Sequence, residues 1–81
     1  MPVIGKYKGL TIKMYFQQEE HNPPHVHVSC GENSAIIYIN NLDDSEGDLK
    51  ESQMSNAKEW VTDHIDELLN MWNNQIFYYI D

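Results

Sequence analysis

At 81 residues the chain can enclose one hydrophobic core and is too short for two, which makes residues 1–81 a single domain. The formal charge is −8 and every one of the five basic residues is lysine; without arginine to grip phosphate on two prongs, a nucleic-acid surface is disfavoured. The single cysteine excludes an internal disulfide, and no apolar run approaches the roughly 18 residues of a membrane span, so the composition fits a soluble cytoplasmic protein.

Residues 10–16 (LTIKMYF) are β-branched and aromatic and follow Gly9, which reads as a strand pairing with a shorter one over residues 2–8. The polar run QQEEHNPP breaks it. Proline cannot donate a backbone hydrogen bond, and Asn22, ahead of Pro23, is pushed to extended geometry, so this is a loop of set shape. Residues 25–30 (HVHVSC) alternate, Gly31 to Asn33 supply turn residues, and residues 34–40 (SAIIYIN) resume a strand, giving a β-hairpin. The loop NNLDDSEGDLKE follows, with a short strand expected around Asp48 to Lys50. From Gln53 to Asn73 the apolar residues Met54, Ala57, Trp60, Val61, Ile65, Leu68, Leu69 and Trp72 recur at intervals of three and four. That spacing predicts one helix roughly 30 Å long, begun by Ser52 or Ser55 and ended near Asn73 and Asn74. The last seven residues, QIFYYID, are strand-like in type and suited to a sheet edge or a partner.

These elements define an α+β fold: a small antiparallel sheet of three to five strands, hairpin included, packed as a two-layer sandwich against one long C-terminal amphipathic helix. A chain this small buries only about 60 to 65% of its unfolded surface, so a protein partner or a homo-oligomer is an expected source of further stability.

Chemistry concentrates in His21-Asn-Pro-Pro-His-Val-His27, which holds three of the four histidines. On a strand, His25 and His27 share one face and Val26 and Val28 the other; if the valines meet the helix, the histidines face away. As a metal site, His21, His25 and His27 would bind a divalent ion such as zinc, with Glu19, Glu20 or water in the fourth position. As a catalytic site, the same three would act as general acid and base in a hydrolase or nuclease, with Tyr38 or Lys13 steadying charge. The simplest alternative makes His25 and His27 the polar residues that any half-buried strand turns to water.

Other residues carry less. His64 borders the helix stripe and reads as a boundary residue, and Cys30 as a small buried hydrophobe. Calcium fails on register in the acidic loop: with Gly47 sixth, the first position is Leu42 and the twelfth Gln53. Trp60 and Trp72 read as core anchors, whereas Tyr78 and Tyr79 suit an exposed contact.

The HNPPHVHV block, the opening Met-Pro-Val-Ile4, the strand Ile12 to Phe16, the Gly31-Glu32 turn with Ala35 and Ile37, Gly47 with Leu49, and the helix residues Trp60, His64, Leu68, Leu69 and Trp72 resemble domain of unknown function family 4160 over about residues 1–73. The resemblance implies a small bacterial protein whose gene neighbours another small gene, a toxin-antitoxin-like pair in which the neighbour's product is the protein partner. It carries over His21, Asn22, Pro23, Pro24, His25 and His27, with Trp60, His64 and Trp72 on the helix. The acidic balance and the QIFYYID tail depart from the relatives' pattern and count against a nucleic-acid-directed role.

Overall fold

The computed structural model describes residues 3–15 and 23–80. Five antiparallel strands, β1 (Val3–Tyr7), β2 (Leu10–Lys13), β3 (His25–Cys30), β4 (Asn33–Tyr38) and β5 (Glu46–Gly47), lie side by side in chain order. Two helices follow, α1 (Glu51–Asp63) and α2 (Ile65–Asn74). The α+β class and the hairpin of β3 and β4 stand as expected. The single long helix does not.

Alternation decides which face of the sheet is covered. Ile12, Val26, Val28, Ala35 and Ile37 point to one side and are buried there with Ala57, Trp60, Val61, Leu68, Met71 and Trp72 from the helices. All of the predicted stripe except Met54, Ile65 and Leu69 is buried, and those three pack against its margin; Met71 also belongs to the core. Trp60 packs so closely on β1 that a Cβ on Gly5 would run into the ring. A glycine is what lets the helix layer approach the sheet there.

The helical span is broken at His64, whose backbone (φ −127°, ψ 22°) leaves the helical region. In a continuous helix the His64 N–H would bond the Trp60 carbonyl. Instead Nδ1 of the His64 ring donates to that oxygen at 2.8 Å, and the backbone N–H turns to Val61 O at 3.1 Å. The start of α1 also differs from expectation: neither Ser52 nor Ser55 caps it. Lys50 is the first boundary residue, its N–H donating to Oε1 of Gln53 at 3.0 Å.

The short strand expected within the acidic loop is β5, at Glu46–Gly47 and two residues earlier than predicted. Gly47 (φ +149°) lies against Ala35 and Ser34, with no room for a Cβ. Asp48 fastens the strand by taking a bond from Ser34 N–H at 2.7 Å and donating one to Ser34 O at 2.9 Å. The Asp48 carboxylate thus serves as a strut. The segment after α2 forms no regular strand, yet Ile80 is buried and its N–H donates to Ile4 O at 2.6 Å, on the outer edge of β1.

Candidate functional site

The hairpin register positions the candidate residues. His25 pairs with Tyr38 and His27 with Ile36 across β3 and β4, while Lys13 pairs with His27 from β2. Val26 and Val28 are fully buried under the helices, so both histidines stand on the opposite face, half-buried. Tyr38 and Lys13, predicted as charge-steadying neighbours, are direct cross-strand partners of the two imidazoles. His21, Glu19 and Glu20 lie outside the described residues.

The rings on this face form a chain of contacts. Tyr15 meets His27 edge to face at 4.4 Å between centroids, His27 meets His25 at 5.1 Å, and His25 meets Tyr38 at 5.9 Å. His25 also lies 5.0 Å from Trp72, so it does not face wholly away from the helices as the strand alternation alone implies. Its environment is part wall, part open face. Pattern reasoning treats the strand as flat and has no means of showing where the end of α2 arrives.

Hydrogen bonding sets the tautomer of His25. Its Nδ1 lies 2.8 Å from Pro23 O, and because a carbonyl only accepts, Nδ1 holds the proton and Nε2 is the basic nitrogen. The turn that the prolines shape therefore selects the tautomer. His27 has its pKa lowered below 6.5, first by burial and second by the neighbouring charge of His25 when protonated. It is neutral at pH 7.

An open groove of about 650 Å³ runs along the same face, lined among others by Lys13, Tyr15, His27, Ser29, Ser34 and Glu46. It takes in His27 and leaves out His25. Two imidazoles 5.1 Å apart can share a ligand or pass a proton, but zinc sites take three or four protein donors, and among the described residues no group of three His, Cys, Asp or Glu side chains is placed to hold a metal.

The remaining candidates take structural places. His64 stacks on Trp60 at 4.5 Å and bonds its carbonyl, a boundary residue as expected and one with a defined task. Cys30 is half-buried, packs on the core, and accepts a long hydrogen bond from Nε2 of Gln53 at 3.3 Å. Trp60 and Trp72 are core residues, whereas Ile76, Tyr78 and Tyr79 are 67, 45 and 51% exposed. Ile76 was not singled out in the sequence, although it begins the same apolar run.

Fold and site together define a small two-layer α+β domain with one open sheet face bearing a histidine pair. The family model described as Domain of unknown function (DUF4160) matches residues 9–73, and the chain belongs to that family. The match begins at Gly9, later than the resemblance traced from residue 1, and leaves β1 and the segment after α2 outside it. No curated protein and no solved structure matches the chain. No helix among the described residues is long and apolar enough to cross a membrane.

Proposed function

We propose that this is a cytoplasmic domain that works by binding a protein partner, as one half of a two-gene, toxin-antitoxin-like module whose other product is that partner. One observation carries the reading: Ile76, Tyr78 and Tyr79 are exposed on a segment that is tied down rather than free. Ile80 anchors it to β1, Phe77 packs on the core, and the Tyr78 hydroxyl donates to Glu67 at 3.2 Å. Large side chains held in place in water suit a contact surface, because little ordering entropy remains to be lost on binding. Both the segment and the strand it bonds lie outside the family match, where a partner-specific surface is free to differ. The net charge of −8 favours a partner with a basic rim.

Co-expression with the neighbouring gene's product tests this. The expected result is a complex that survives purification and is lost in the Ile76→Ser, Tyr79→Ser variant, which keeps the Tyr78 bond and should melt within a few degrees of the wild type. A chain that ignores its neighbour's product would overturn the reading.

A second reading, a histidine-based hydrolase or nuclease or a metal-binding protein, is favoured by the tautomer of His25. Its Nε2 is left basic beside a neutral His27. Thermal unfolding with zinc, nickel or manganese is the test, since a ligand that binds only the folded state raises the melting temperature. No shift with any metal, and no loss of any activity in the His25→Ala, His27→Ala variant, would remove it.

A further inference from the structure

The open face of the sheet carries a row of four side chains, one from each of β2 to β5, in continuous register: Lys13 pairs with His27, His27 with Ile36, and Ile36 with Glu46. Of these four, the first is a cation and the last an anion, with Val3 of β1 beside Lys13 at the outer end. Three strand spacings of about 4.8 Å separate the two backbones by about 14 Å, too far for the lysine and the glutamate of one copy to meet. Between them stands Ile36, an aliphatic side chain left half-exposed on an otherwise polar face.

We infer that this face binds a second copy of the same chain, related to the first by a two-fold axis that lies in the interface, parallel to the strands and between β3 and β4. That axis reverses the order of the strands while keeping each row opposite itself. Lys13 then falls over Glu46 of the second copy and His27 over Ile36 of the second copy, and the symmetry makes each pair twice. In the adjacent row His25 falls over Tyr38 of the second copy. The charges choose this axis, because the alternative in-plane axis, across the strands, sets lysine on lysine and glutamate on glutamate. Aligned sheets pack within about 30° of each other, which displaces the ends of the row by only a few Å, inside the swing of a lysine side chain.

The footprint sets the strength. With β5 only two residues long and β2 four, the four strands at about 3.3 Å per residue and 4.8 Å spacing give roughly 300 Å² per copy, short of the usual specific interface, so a weak dimer is expected. It uses none of Ile76, Tyr78 or Tyr79 and is independent of the partner reading above.

Charge reversal gives the decisive experiment. Sedimentation equilibrium of the wild-type chain between about 10 μM and 1 mM, in about 0.15 M salt to screen the mutual repulsion of two chains of charge −8, should show a monomer-dimer equilibrium. Lys13→Glu and Glu46→Lys, each checked for folding by circular dichroism, should each weaken self-association about tenfold or more. Mixed together they should form a one-to-one heterodimer, since both reversed pairs are then restored. A wild-type chain that stays monomeric at about 1 mM, a dimer indifferent to both reversals, or a mixture that fails to associate overturns the inference. Should a variant not fold, concentration-dependent amide shifts of the wild-type chain read the same surface. They are expected at Lys13, His27, Ile36 and Glu46, and shifts confined to residues 76–79 would refute it.

Discussion

The ring of His64 holds the carbonyl of Trp60 at 2.8 Å, the oxygen that the His64 backbone would bond in an unbroken helix. One side chain thereby divides the helical layer into α1 and α2. The same ring stacks on Trp60, which in turn presses on Gly5 of β1.

Replacing His64 with alanine should return the Trp60 carbonyl to the backbone. Loss of the bond and the ring contact is expected to cost about 1 kcal/mol, a fall in melting temperature of about 4 to 8 °C for a domain this size. The ellipticity at 222 nm should nonetheless hold or increase, because the broken turn regains a helical hydrogen bond. Helicity that drops along with stability would show that the ring supports the helix rather than interrupting it.

Two glycines are expected to resist substitution for different reasons. At Gly5 an added methyl meets the Trp60 ring, which can shift at an overpacking cost of about 1 to 3 kcal/mol and with a visible change in tryptophan emission. At Gly47 it meets backbone atoms of Ser34 and Ala35, which have nowhere to go. Gly47→Ala should therefore peel β5 from the sheet, and amide exchange at Ser34 and Asp48 should accelerate more than exchange in β3. Uniform acceleration across the sheet would place the strain elsewhere.

The strands were legible because alternation is a two-residue signal that a single buried face enforces, and the shared face of His25 and His27 followed from it together with their neighbours Lys13 and Tyr38. The break at His64 was not, since the apolar spacing of three and four continues across it from Val61 through Ile65 to Leu68. A histidine that bonds its own helix leaves no mark in hydropathy. The approach of Trp72 to His25 depends on where α2 ends over the sheet, a tertiary fact. Lys50 as the start of α1 was hidden for a related reason: two serines advertise capping, whereas the bond that closes the turn comes from the side chain of Gln53.

The bond from His25 to Pro23 makes a spectroscopic prediction. Nitrogen shifts should report Nδ1 of His25 as the protonated, pyrrole-type nitrogen and Nε2 as the pyridine-type one at pH 8. Replacing Pro24 with alanine loosens the turn that presents the Pro23 carbonyl and should move His25 toward the mixed tautomers of free imidazole. A spectrum with Nε2 protonated in the wild-type chain would show that the turn does not choose the tautomer.

His27 links the site to stability. Its folded pKa lies below the 6.5 of a free imidazole because burial penalises the charged ring and a charged His25 repels it. Above pH 6.5 the ring is neutral whether the chain is folded or not, and nothing is lost. As pH falls below 6.5 the unfolded chain takes up the proton first, so the unfolded state is favoured until the folded pKa is also passed. The wild-type melting temperature should accordingly drop faster between pH 7 and 5 than that of His27→Gln, which has the same carboxylates but no ring to protonate. The His27 ring protons should titrate with a midpoint under 6.5. Parallel pH profiles for the two proteins, or a midpoint at or above 6.5, would mean that the ring is better solvated than its place between Tyr15 and His25 requires.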